Sequence, residues 1–176
     1  MIKDEMNFED IYQKLSDKVY GYIYLMIGEA ETAEDLTQET FLKIYNNMGS
    51  YRGQSTISTW VIAIARNKTI DYIRRKQRLS FFSLLKTPLI AQSDTPLEIL
   101  EKGEAVVELY KVINQLKLDY KEVLILRKIK ELSIRETAYV LGWEETKVKV
   151  TTSRALAALK EKIHSRKGYF SDESSG

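Results

Sequence analysis

The chain has 176 residues, 44% apolar and 30% charged, which allows one ordinary domain or two small ones and excludes a disordered composition. Eight Gly and two Pro are too few for the turns of a sandwich or barrel. The absence of Cys and a single His, His164, exclude disulfides, thiolate metal sites and His clusters, and no cofactor is implied.

The net charge of +2 conceals a division along the chain. Residues 1–40 carry three Lys against ten acids, a net −7 that would repel a polyanion. Met1–Glu5 lacks the basic-then-apolar pattern of a signal peptide. The longest apolar stretch, about Tyr20 to Ile27, is far short of the ~20 residues that span a bilayer. A cytoplasmic protein with no direct membrane insertion is expected. Phe8, Ile11, Tyr12, Leu15, Val19, Tyr22, Ile23 and Met26 recur at spacings of three and four and predict an amphipathic helix ending near Gly28. Thr32 with Asp35 reads as the N-cap of a second helix running to about Asn47, its apolar side formed by Ala33, Leu36, Thr40, Ile44 and Met48. After the break at Gly49–Gly53, a third helix follows to about Arg78. Its first half, Trp60–Ala65, is apolar all round and is expected to be buried. Its second half is cationic: residues 66–78 hold six Lys/Arg against Asp71, a net +5.

Residues 79–95 show no period and read as a linker, whose non-helical part, 79–94, extends to at most ~55 Å. Thr95-Pro96-Leu97-Glu98 reads as a helix start, and Asp119 with Glu122 and Ser133 with Glu136 read as capping boxes. They predict helices over 96–116, 119–130, 134–140 and 144–163, with a frayed tail at 168–176. Residues 147–167 carry seven Lys/Arg against Glu161, a net +6. The expected fold is all-α, with one small helical domain over 1–78 and another over 96–167.

Three local patterns bear on function. In Ser133–Val148, the small Ala138, the turn residue Gly142 and the inward-packing Val148 have the spacing of a helix-turn-helix. Val148, Thr152, Ala155 and Leu159 would pack inward, leaving Lys147, Val150, Ser153, Arg154 and Ala157 to face a major groove. A plain helical hairpin has the same ingredients. On the second helix, Asp35, Gln38, Glu39 and Leu42 cluster opposite the apolar stripe. Such a face suits a basic protein partner with an apolar centre, or is simply solvated. The segment Tyr51–Trp60, followed by Arg66, Asn67 and Lys68, offers rings, hydroxyls and cations for unstacked bases. Trp60 also reads as ordinary core.

These residues together resemble a known family. Ala33–Leu42, Tyr51-Arg52-Gly53 and Thr59–Arg75 resemble region two of the bacterial extracytoplasmic-function sigma factors, and residues 113–160 resemble region four. The resemblance covers about 8–78 and 96–163. It implies a promoter-specificity subunit that is not an enzyme and that carries core RNA polymerase to promoter DNA. It implies polymerase contacts at Asp35, Gln38, Glu39 and Leu42. Minus-ten contacts are implied at Tyr51, Arg52, Ser55, Thr56, Ile57 and Asn67, with the cations Arg66, Lys68, Arg74 and Arg75. Minus-thirty-five contacts are implied at Lys147, Lys149, Val150, Thr151 and Arg154. An anti-sigma factor is a further implied partner.

Three departures from the family pattern stand out: Lys147–Thr151 replaces the usual start of the recognition helix, Trp143 replaces a smaller aliphatic, and Phe81-Phe82 and Leu84-Leu85 make the linker apolar. The alternative is a conventional helix-turn-helix regulator that binds duplex DNA without polymerase. A helical adaptor fits the two basic stretches poorly, and an enzyme lacks any catalytic constellation.

Overall fold

The computed structural model describes residues 7–82 and 97–172, all-helical apart from turns and short connections. The bulk of the expected linker, the helix start at Thr95-Pro96 and the last four residues lie outside the described residues.

The N-terminal unit is built from α1 (Phe8–Ile27), α2 (Ala30–Asn47), a single 3-10 turn (Met48–Ser50) and α3 (Ile57–Phe82). The three helices pack pairwise against one another. Asn7 caps α1 by accepting from the Asp10 N–H at 2.9 Å. The helix stops at Gly28, whose N–H reaches the Tyr24 carbonyl at 2.7 Å. Most predicted apolar positions meet in the core: Ile11, Val19, Tyr22, Ile23 and Met26 with Ala33, Leu36, Thr40 and Ile44, and with Val61 and Ile62, whereas Tyr12 is 47% exposed and Phe8, Leu15 and Met48 are half-buried. Burying each large side chain is worth about 1.5–3 kcal/mol. The core also contains Thr37, Thr40 and Thr69, whose hydroxyls donate to the carbonyls of Ala33, Leu36 and Ala65 at 2.7, 2.7 and 2.8 Å. No buried hydroxyl of these three is therefore left unpaired.

Three expectations change here. Thr32 is not the cap of α2: the helix starts at Ala30, and the Thr32 hydroxyl instead donates to Glu29 Oε2 at 2.9 Å. Trp60–Ala65 is not buried all round; Val61, Ile62 and Ala65 are buried, while Trp60, Ala63 and Ile64 remain half-exposed. A helix in a three-helix unit has neighbours on one side only. Finally, α3 runs past Arg78 to Phe82, because nothing between Arg78 and Phe82 breaks a helix.

The C-terminal unit contains α4 (Leu97–Leu100), α5 (Glu104–Ile113), α6 (Leu118–Leu124), a π-helical turn (Ile125–Ile129), α7 (Ile134–Leu141) and α8 (Glu145–Asp172). α5 and α6 pack against α8. The single helix expected over 96–116 is two, because Gly103 adopts φ 95° and ψ 168°, a conformation that only glycine takes without strain. Asp119 does not cap α6 either. The helix begins at Leu118 after Lys117, which places Asp119 inside the first turn, where its charge suits the helix dipole, and buries Glu122. α8 continues well past residue 163, to Asp172, so residues 168–172 of the expected frayed tail are helical instead.

The turn between α6 and α7 is wider than an α-helical end. Lys130 N–H bonds the Ile125 carbonyl at 2.8 Å and Leu132 N–H bonds the Leu126 carbonyl at 2.9 Å. Glu131 takes φ 57°, in the left-handed region. Arg127 closes the turn by donating from Nη1 to the Leu132 carbonyl.

Candidate functional site

The outer side of α2 forms as its periodicity requires. Ala33, Leu36, Thr37, Thr40, Phe41 and Ile44 point into the core, so Asp35, Gln38, Glu39 and Leu42 are exposed together. Leu42 is 64% exposed, an apolar centre within a polar face. Glu39 also accepts from Lys68 of α3 at 3.1 Å. A residue assigned to a protein partner and one assigned to DNA thus meet.

The loop before α3 is more ordered than a string of turn residues suggests. Tyr51 does not stand apart from Trp60: their ring centroids lie 5.4 Å apart, and Tyr51 OH donates to the Ser55 carbonyl at 2.6 Å. The two rings make one half-exposed pair rather than flanking a pocket. Thr56 caps α3, its Oγ1 accepting from Thr59 N–H at 3.1 Å, and Ile57 is the first helical residue. Ser58 accepts from Lys18 of α1 at 2.8 Å, which ties the helix start to the unit. Arg52, Asn67, Arg74 and Arg75 are exposed, and Ser55, Arg66 and Lys68 are half-exposed.

One cation of this basic run turns away. Lys76 donates to Glu29 at the start of α2 and lies 5.7 Å from the Tyr72 ring centroid. The bond to Lys76 holds the Glu29 carboxyl below its ordinary range, against the opposing effect of burial. The same bond raises the Lys76 ammonium above its ordinary value. No sequence signal gives this pair, whose members are 47 residues apart. Lys68–Glu39, 29 apart, is equally silent in the sequence.

The helix-turn-helix forms as the spacing predicts. Ser133 Oγ accepts from Glu136 N–H at 3.1 Å while Glu136 Oε2 accepts from Ser133 N–H at 2.8 Å, a reciprocal capping box. Gly142 ends α7 at φ 66°, and no atom lies within 4 Å of where its Cβ would be. Glycine is therefore required there by backbone conformation rather than by crowding. Val148, Ala155 and Leu159 are buried, with Thr152 half-buried beside them. The opposite side of α8 presents Lys147, Lys149, Val150, Ser153, Arg154 and Ala157, with Thr151 half-buried at its edge. Trp143 acquires a contact the sequence did not suggest: Lys147 Nζ sits 3.9 Å from its ring centroid, a cation–π contact at the start of α8.

Among the described residues, no group of three His, Asp or Glu is placed to hold a metal ion. No helix among them is long and apolar enough to cross a membrane.

Residues 5–79 match the family model of sigma-70 region 2, and residues 107–159 match that of sigma-70 region 4. The RNA polymerase sigma factor YlaC of Bacillus subtilis is 34% identical over 164 residues, covering 92% of this chain and 95% of that protein. The chain belongs to the sigma-70 family of RNA polymerase sigma factors. Its extracytoplasmic-function relatives include SigX of Bacillus subtilis, 32% identical over 89% of this chain and 84% of that one. The fold of this sigma factor is that of RpoE from Bartonella quintana, solved with the anti-sigma factor NepR. The TM-score is 0.73 at 22% identity, over 89% of this chain and 96% of that one. Membership sets aside the alternative of a conventional regulator.

Proposed function

We propose that this sigma factor divides three recognition tasks among the surfaces just described. Asp35, Gln38, Glu39 and Leu42 bind core RNA polymerase. The Tyr51–Ile57 loop and Asn67 take unpaired bases of a minus-ten element, with Arg52, Arg66, Lys68, Arg74 and Arg75 on phosphates. Lys147, Lys149, Val150, Thr151 and Arg154 meet a minus-thirty-five duplex. The observation that carries the reading is the coexistence, in one sigma-70 chain, of an outward acid–amide face on α2 and a helix-turn-helix within the residues that match region 4. The first suits a basic protein surface and the second suits the major groove. The chemistry required is recognition and strand capture, not bond making, and we infer no catalytic role. Its place of action is the cytoplasm, where polymerase works. The solved relative RpoE was captured with an anti-sigma factor, which supports such a partner for this chain as well.

The test is to add the purified chain to core polymerase, transcribe a fragmented genome and sequence the products. A small set of start sites sharing two spaced elements is expected, and random starts or none would refute the reading. On a promoter found this way, Tyr51→Ala should reduce the opened population about five- to a hundredfold, read by 2-aminopurine fluorescence, while sparing closed-duplex binding. Arg154→Ala should weaken closed-duplex binding by ~1–3 kcal/mol, and unchanged binding would take Arg154 off the base edges.

A further inference from the structure

Asn67, Asp71, Arg74, Arg78 and Phe81 follow one another at spacings of four and three and lie along one side of α3. All five are exposed. Arg75 and Phe82 flank the same line. Phe81 and Phe82 are 85% and 82% exposed, with their rings edge to face at 5.9 Å. A lone exposed ring is ordinary. Two touching rings at the end of a nine-residue run that holds four cations and no acid are not. Lys76 alone of these cations turns inward, to Glu29; none of the ion pairs among the described residues involves Arg74, Arg75 or Arg78.

We infer that the C-terminal end of α3 is a second base-stacking platform, on which Phe81 and Phe82 take the faces of unpaired DNA bases while Arg74, Arg75 and Arg78 hold the phosphates between. The inference rests on the reading of this unit as a single-strand binder and extends it. Charge decides the occupant. A ligand that satisfies three unpaired guanidinium groups and two ring faces on one side of a helix must be anionic and flat. Single-stranded nucleic acid has both properties at every nucleotide. A helix lying on a lipid surface separates its rings and cations onto different faces, whereas here they share one. The line also begins at Asn67, a proposed base contact. The rise of ~1.5 Å per residue puts Phe81 about 21 Å further along, so one strand can follow the helix from one to the other.

The experiment uses holoenzyme assembled from the full chain and core polymerase, on a promoter fragment with a pre-opened, mismatched bubble. The double variant Phe81→Ala/Phe82→Ala should bind this fragment about five- to a hundredfold more weakly per stacked base, and the fully paired fragment as wild type does. Tyr51→Ala is measured beside it. If Tyr51→Ala is weakened and the double variant is not, the inference fails alone. If neither is weakened, the reading on which it rests fails too. In a second arm, p-benzoylphenylalanine replaces Phe82 in the otherwise intact chain, and the complex is irradiated. A cross-link to DNA is expected. A cross-link only to a polymerase subunit or to a second copy of this chain, or none to DNA, would overturn the proposal and make the ring pair a protein contact.

Discussion

Reversing Asp35 separates a binding surface from a structural one, because the two readings predict opposite signs. Asp35 lies on the exposed side of α2, four residues after Glu31 and four before Glu39, both also exposed. Like charges at that spacing repel by about 0.2–0.5 kcal/mol per pair, and opposite charges attract by as much. Asp35→Arg converts two repulsions into two attractions, so the free protein should gain about 1 kcal/mol before screening by salt. For a unit of this size that is a thermal midpoint raised by a few degrees. Core polymerase binding should move the other way. A charge reversed against a basic partner costs about 2–5 kcal/mol, roughly thirty- to several-thousand-fold in affinity. Circular dichroism melting at low salt and fluorescence titration of labelled protein with core polymerase give the two quantities. Affinity that is unchanged, or that falls only in step with a lowered midpoint, refutes the assignment of this face. Glu39→Arg is the less clean probe, since it also breaks the bond to Lys68.

Four further outcomes follow from local geometry. Gly142→Ala should cost about 1–2 kcal/mol in denaturant unfolding, because only the left-handed backbone, and no contact, forbids a side chain there, and Gly142→Asn should cost less. Glu131→Gly should do the reverse and stabilise by about 1 kcal/mol, since an exposed Glu holds φ 57° at a position that favours glycine. Ser133→Ala should lose about 1 kcal/mol with its half of the capping box, measured the same way. Burial pushes the Lys121 ammonium from 10.5 down to about 8. Between those values the unfolded chain holds a proton that the folded chain has lost, so stability should rise with pH across that window. Lys121→Met should flatten the rise; an unchanged pH profile would show that Lys121 does not cause it.

What was legible in the sequence is what depends on residues three or four apart. The α1 stripe from Phe8 to Met26, the outward set on α2, and the box at Ser133 and Glu136 all belong to this class. Caps misled where the same residue types compete for different jobs. Asp119 and Glu122 have the spacing of a box, but α6 starts at Leu118 and buries Glu122, so the core claims a side chain that the local pattern gives to the cap. Thr32 failed for a related reason: Glu29 receives its hydroxyl. The break at Gly103 was missed because one glycine inside an apolar period is as compatible with a continuous helix as with a bend. At the candidate sites, the residue types were readable and their partners were not. Tyr51 against Trp60, Lys76 against Glu29 and Lys147 over Trp143 depend on how helices and loops come together. The bonds of Lys68 and Lys76 matter most, because counting cations along 66–78 credits DNA with two that the fold already pairs with carboxylates.

The bond between Lys68 and Glu39 gives the chain an internal counter-ion. On the assignments proposed above, a phosphate that engages Lys68 would have to break this bond, and so would a basic partner that engages Glu39. Whichever came first would spare the other that step. Partner binding at Glu39 would then favour the approach of Lys68 to a phosphate, and by linkage the reverse would hold, by the small energy of an exposed pair, about 0–1 kcal/mol.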